Sequence, residues 1–323
     1  EKLKGTGTNE KGMCGYPDGK AYYEYLVYTA TGTSYHSIDE LMTATEQEIS
    51  DNLQITSKLL SEHPELESML DNYQYRQTEP TAIMEELKEQ TLKDFPQLPE
   101  CSYTLKDVPK ALELSLSPAF YLTSPIDDSS QNVIYINGGS TDSRKDLYTT
   151  LAHEGFPGHL YQTVYSRTHA KTPLSALLSC SGANEGWATY VEMYAYSLWD
   201  GGSDATVVQQ KNRAFSLGLA ALLDIGIHYH GYSLADVSTF LTKLGFNASG
   251  ASSLYRAILQ APANYLQYYV GCLNFQHLRS TMQQALQEHF VLRDFHTAVL
   301  DAGPAPFSIL EKLVAQKLGV TVS

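Results

Sequence analysis

At 323 residues, 43% hydrophobic and 18% charged, the chain has the composition of a soluble globular protein with enough apolar material for one large core or two packed lobes. Its 36 acidic against 22 basic residues give a net charge of −14, which argues against nucleic acid or an anionic membrane as partner and admits a neutral or mildly basic peptide. No apolar run reaches the roughly eighteen residues that a membrane span needs. No G-x-S-x-G elbow, P-loop or G-x-G-x-x-G fingerprint is present, which removes serine hydrolase, nucleotide and dinucleotide readings.

Residues 1–20, rich in Gly, Lys, Thr and Asn, read as an irregular lead-in with no signal peptide. The aromatic run Ala21 to Tyr28 fits strand or helix alike, its tyrosines packing a core with their hydroxyls at the rim. Ser37-Ile-Asp-Glu40 has the form of a capping box and opens a long helix through about Ser61, with Leu41, Ile49, Leu53 and Leu60 along one side. His63-Pro64 starts a second piece, Thr81 to Leu92 forms another helix, and Phe95-Pro-Gln-Leu-Pro99 ends it. From Cys101 to Asn137 the pattern turns β-prone. Asp107 to Leu114 leads through a turn into an edge strand or short helix, Ala119–Leu122 and Val133–Ile136 are strands, and Gly138-Gly139 closes the second. That second strand either caps a sheet or offers an open edge to an extended peptide.

The chemistry concentrates in Leu151-Ala-His-Glu-Gly-Phe-Pro-Gly-His159, approached by a helix from Lys145 to Ala152 and continued from Leu160 to Tyr165. Zinc hydrolases commonly carry H-E-x-x-H, because histidines four apart share one helix face with the glutamate beside them as base. Here Pro157 occupies the place of the second histidine, and the next one is His159. On a regular helix, rings six residues apart point roughly 120° away from each other and cannot share a metal. Pro157 removes a helical amide and Gly158 tolerates unusual backbone, so the helix is expected to bulge or break there and swing His159 back toward His153. A carboxylate from a second helix completes such His₂Glu sites. Asn184-Glu185-Gly-Trp-Ala-Thr-Tyr-Val-Glu192 supplies one, with Glu185 the chosen ligand and Glu192 either an acceptor for a ligand histidine or a solvated residue.

Thr172-Pro173 marks a turn, and Leu174 to Leu178 is compatible with the start of the helix that carries Glu185. After the loop Asp200-Gly-Gly-Ser203, Val207 to His228 reads as one long apolar helix whose notable charges are Arg213 and Asp224. Leu234–Leu244, Ala251–Leu259, Asn264–His289 and Ile309–Leu318 complete an α-rich second half. Cys14, Cys101, Cys180 and Cys272 are scattered and read as buried thiols, a disulfide staying open. The expected organisation is an N-terminal helical and small-sheet part over 1–140 and an α-rich metal-site part over 141–323, together one compact catalytic unit. Abundant Tyr, Ser, Thr and Asn with few lysines favours a secreted or cell-surface bacterial protein, with a cytoplasmic one also compatible.

His153-Glu-Gly-Phe-Pro-Gly-His159, Glu185-Gly-Trp-Ala-Thr-Tyr-Val-Glu192, Asp224-Ile-Gly-Ile-His228, Pro262-Ala-Asn-Tyr-Leu-Gln-Tyr268-Tyr-Val-Gly271 and Phe295-His296-Thr-Ala-Val-Leu-Asp-Ala-Gly303-Pro304 together resemble the bacterial domain of unknown function 885 family. The resemblance runs from about Tyr16 to Leu310. It implies a mainly α fold with a small β-sheet (α+β) and a zincin or gluzincin-like metallopeptidase architecture. Members of the family are longer at the N-terminus, so the chain resembles their C-terminal portion.

These readings converge on a Zn²⁺-dependent peptidase, with His153, His159 and Glu185 as ligands and Glu154 as the base that takes the proton of a metal-activated water. Oxyanion donors are sought among Tyr268, His228 and His296, each in a stretch that carries the resemblance, with Tyr268 preferred because its hydroxyl stays a donor at neutral pH. Arg256 and Arg279 are candidates for holding a substrate carboxylate, or for structural salt bridges. The partner is a peptide or small protein. The competing reading is a degenerate domain of the same fold that binds peptides or glycans without cutting them, a possibility kept open by Pro157.

Overall fold

The structure, a computed structural model, describes residues 10–321 other than 34, 72–76, 99–100, 129, 140–145, 171, 173, 175–176 and 201–202. Residues 1–9 of the lead-in, together with Pro99, Lys145, Pro173 and Gly201-Gly202, therefore fall outside the described residues.

The aromatic run resolves as helix α1 (Gly19–Thr31). Tyr23 and Val27, four apart and so on one face, are buried, while Tyr22, Tyr25 and Tyr28 stay exposed. Helix α2 (Ile38–Glu62) starts where the capping residues predict. Ser37 Oγ accepts from the Glu40 amide at 3.0 Å, and the Glu40 carboxylate accepts from the amide of His36, one residue before the usual partner. Leu41 and Ile49 face the core as expected, whereas Leu53 points to solvent. Helices α3 (Glu65–Asp71) and α4 (Pro80–Asp94) follow, the second with proline in its first turn and Ile83, Met84 and Leu87 buried.

The β-prone stretch forms β1 (Tyr103–Asp107), β2 (Ala119–Leu122) and β3 (Asn132–Ile136) in the order β1-β3-β2. Strand β1 lies within the β-prone stretch and ahead of the turn at Asp107, and of the two alternatives for Asp107–Leu114 the short helix is found, as a 3₁₀ turn over Lys110–Leu112. Strand β3 runs parallel to β1 and antiparallel to β2, so both its edges are paired and Val133–Ile136 has no edge to offer a peptide. The free edge nearest the later helices belongs to β2.

Nine α-helices among the described residues build the rest: α5 (Leu147–Glu154), α6 (His159–Thr168), α7 (Ser181–Asp200), α8 (Asp204–Ile225), α9 (Leu234–Lys243), α10 (Ala251–Gln260), α11 (Asn264–Leu286), α12 (Leu292–Ala302) and α13 (Phe307–Leu318), with the π-helical turn Gly226–His230 extending α8. Leu174, Leu177 and Leu178 do not join α7; they are exposed, and the helix starts at Ser181. Helix α12 escaped the sequence reading, although Phe295, Ala298 and Val299 bury one of its faces. Helices segregated from a small sheet make the fold mainly α with an α+β arrangement. No helix among the described residues is long and apolar enough to cross a membrane.

One core runs through the molecule, joining Tyr23, Met84 and Ile134 to Leu151, Trp187, Phe275 and Phe295. At its centre α7 and α11 cross with their backbones in contact. A Cβ on Gly186 would lie 2.5 Å from the carbonyl carbon of Gly271, and one on Gly271 would lie 2.4 Å from the carbonyl oxygen of Gly182. Only glycines permit so close a crossing, which brings Glu185 on α7 and Tyr268 on α11 to the same region.

Candidate metal centre

Helix α5 delivers His153 and Glu154 as its last two residues and then stops. The chain turns through Gly155–Gly158 and restarts as a helix at His159. Three contacts fix this interruption. Gly155 N donates to Leu151 O at 2.8 Å and closes α5, while Tyr161 N donates to Gly155 O at 3.1 Å and anchors α6. Trp187 Nε1 donates to Pro157 O at 2.9 Å, tying the break to α7 two residues beyond Glu185. Gly158 is required by proximity: a Cβ there would sit 1.8 Å from the His153 carbonyl oxygen. The break therefore folds the chain back on itself, and the His153 and His159 rings lie 4.8 Å apart between centroids at 84°.

Glu185, in the second turn of α7, faces both rings. Its Oε2 is 3.3 Å from His159 Nε2 and 3.6 Å from His153 Nε2, and the three ligand atoms all lie within 4.8 Å of one another. Oε2 is nevertheless buried and makes no properly formed hydrogen bond. Donor atoms about 2.0–2.1 Å from a tetrahedral zinc are roughly 3.3 Å apart, so the Glu185–His159 edge matches a shared cation, and the wider spread of the three atoms, up to 4.8 Å, would have to draw in around it. The orphaned oxygen and the two Nε2 atoms fit such an ion.

His153 is held from behind. Its Nδ1–H donates to Glu192 Oε2 at 3.0 Å, and Glu192 Oε1 accepts from Arg213 Nε at 2.6 Å. This fixes the ring orientation and leaves Nε2 directed toward Glu185 and His159. Glu192 is the acceptor, not a solvated residue, being 4% exposed. Burial alone would raise its carboxyl, but the charge of Arg213 and the bond to His153 hold it down at about 2. Burial works against Glu185 too, and the two histidines bring it to about 2. Burial would depress His153, yet the nearby Glu185 carboxylate and the bond to Glu192 lift it to about 10.

Glu154 points to the sheet, where its Oε2 accepts from the backbone amide of Tyr121 on β2 at 2.8 Å. Tyr268 lies on the other side, its half-buried ring stacked 6.2 Å from that of His153 at 24°. Burial, reinforced by Glu185 and Glu154, pushes its hydroxyl pKa upward, so the group stays a donor. The centre opens into a cavity of about 340 Å³ lined by Tyr121, His159, Gln162, Ser166 and Glu185.

His228 and His296 do not serve as oxyanion donors, because both nitrogens of each ring are already committed. His228, fully buried in the π-helical turn and stacked on Tyr23, accepts from Met13 N at Nδ1 and donates to Ile258 O from Nε2. His296 donates to Asp94 O from Nδ1, accepts from the Tyr190 hydroxyl at Nε2 and stacks 4.0 Å from Phe95. Burial pushes its pKa down to about 3. They are neutral, hydrogen-bonded core residues. Arg279 reaches toward the Tyr190 hydroxyl and Arg256 is exposed, while the four cysteines are free thiols. The sequence reading missed two partners, Arg213 and the Tyr121 amide. A lone arginine in an apolar helix was visible, but its pairing with Glu192 on another helix was not.

The molecule is thus a mainly helical α+β protein whose centre gathers two histidines and a glutamate in metal-ligand geometry. Residues 1–314 match the family described as "Bacterial protein of unknown function (DUF885)", and the chain belongs to that family. Two solved structures share the fold. The one described as a "putative lipoprotein" from Colwellia psychrerythraea has a TM-score of 0.82 at 21% identity, with 96% of this chain and 57% of that one covered. The "putative lipoprotein of unknown function" from Shewanella oneidensis has a TM-score of 0.70 at 18% identity, with 97% and 61% covered. The chain therefore spans about three fifths of the length of these proteins. No curated protein matches it.

Proposed function

We propose that the chain is a zinc-dependent peptidase of zincin-like type, with His153, His159 and Glu185 holding the ion and Glu154 acting as general base. The observation that carries this reading is the convergence of two Nε2 atoms and an otherwise orphaned buried Oε2 beside a second carboxylate that belongs to no other ion pair in the cluster. Zinc bound there would polarise a carbonyl and make a water acidic near neutral pH.

The chain's own residues supply the remainder. Glu154 takes the proton of the attacking water on a carboxylate oxygen and returns it to the departing amine. The Tyr268 hydroxyl, kept protonated by burial, donates to the oxygen on which negative charge develops. Arg213 and Glu192 hold the His153 ring in place. The peptide lies beside the free edge of β2, whose outward Tyr121 amide is itself taken by the Glu154 carboxylate and so holds the base against that edge. This assigns to β2 the role that the sequence suggested for Val133–Ile136.

The test is metal analysis with hydrolysis. Chain dialysed against zinc should retain about one ion, cleave a peptide library, lose cleavage to a chelator and regain it with added zinc. Failure to retain the metal, or cleavage indifferent to the chelator, overturns the reading. Glu192→Gln should weaken zinc binding by roughly 10–100-fold, because the amide holds the His153 ring less firmly than a carboxylate does. A zinc titration read by competition with a chromophoric chelator checks this, and unchanged affinity would detach Glu192 from the site.

A further inference from the structure

The cavity in front of the metal centre does not end at α6. A second cavity of about 700 Å³ continues along the same helix to His169, Asp301 and Lys317, and the two share Ser166 and Pro304 in their walls. The solvent face of α6 therefore floors one trough from His159, its first residue, to His169 just past its end. Ten residues of helix span about 15 Å. An extended peptide advances about 3.3 Å per residue, so the trough has room for four or five residues.

Two further observations say what lies in it. Ser166 Oγ, at the neck where the cavities meet, is buried without a hydrogen-bond partner. A buried hydroxyl left in that state is costly; closed to solvent as it stands, it would reach a peptide backbone passing the neck by rotating about χ1 toward the trough. The strong cations of the walls are already engaged. Arg167 donates to Ser124 O, Ser124 Oγ and Pro125 O, and Lys317 pairs with Asp301, which also accepts from the Tyr165 hydroxyl. A carboxypeptidase recognises the terminal carboxylate through an uncompensated cation, and among the described wall residues neither of these groups offers one.

Resting on the peptidase reading, we infer that the substrate is an extended peptide with four or five residues on one side of the cut bond, lying along α6 past Ser166. A trough of that length, with no free cation among its described wall residues to clamp a terminal carboxylate, suits an enzyme that cuts within chains.

The experiment uses the zinc-loaded chain and quenched fluorescent peptides blocked at both ends, a tripeptide and a nonapeptide that share the same cleavage residues. The nonapeptide should be cleaved with a kcat/KM at least about tenfold higher than the tripeptide, since remote contacts contribute binding energy. Ser166→Phe, which plugs the neck, should bring that ratio toward one. Zinc content and thermal midpoint report whether the variant is folded. Refusal of both blocked peptides while unblocked ones are trimmed from an end overturns the inference, as does a length advantage that survives Ser166→Phe. Anisotropy of the labelled nonapeptide on the Glu154→Gln chain, with and without Ser166→Phe, separates the two proposals. Ser166-dependent binding without cleavage by the parent chain would leave the trough standing and remove the peptidase. Equal binding with and without the plug removes the trough.

Discussion

Glu154→Gln is expected to lower kcat for peptide hydrolysis by roughly 10²–10⁴-fold, the contribution of a positioned general base. The replacement keeps the shape and still accepts from the Tyr121 amide, the one hydrogen bond that the carboxylate makes here. It has no lone pair basic enough to take a proton from water. Because Glu154 lies outside the His153–His159–Glu185 cluster, zinc content should stay at the parent level and the thermal midpoint should move little. Single-turnover kinetics with parallel metal analysis makes the comparison. Wild-type turnover in the variant would remove Glu154 as the base, and loss of zinc would place it among the ligands instead.

His159→Ala should empty the site. His159 is the better ligand to remove, because its side chain is 19% exposed and faces Glu185, so truncation disturbs little else. Removing His153 would strand the buried Glu192, whose charge is now shared between that ring and Arg213, and would confuse loss of metal with loss of folding. With two ligands left, zinc should wash out on dialysis and hydrolysis should fall to background. The parent chain should gain about 2.7 kcal/mol of stability at a free zinc concentration one hundred times its Kd, and His159→Ala should gain essentially none at that concentration. Differential scanning calorimetry with and without zinc reads this directly. A parent chain that zinc does not stabilise, or a variant stabilised equally, would show that the ion binds elsewhere.

The helices with strong local signals were legible. Ser37 with Glu40 marked the start of α2, and the spacing of apolar residues marked α9, α10 and α11. The interruption between His153 and His159 was legible as well, since proline lacks an amide and glycine lacks a side chain wherever they occur. Helix α12 was less so, because its burial pattern follows neighbours that the sequence does not identify. Strand β3 shows the limit on the other side: its residues announced a strand, but whether that strand is central or at an edge depends on β1 and β2.

By itself, the sequence determined which residue types were on hand for chemistry, where the metal helix had to break, and that no nucleotide loop competed for the role. Tertiary structure alone decided which of the candidate histidines are free to act. His228 and His296 have the same local surroundings on paper as any ligand, and only packing revealed that α4, α7, α10 and the N-terminal segment occupy their nitrogens. It also decided that Arg213 stands behind Glu192 and that β2 stands beside Glu154. The physical reason is range. Backbone preferences act over a few residues, whereas the contacts that assign a role to an ionisable side chain join segments 20 to 200 residues apart, roughly, and exist only once the core has brought them together.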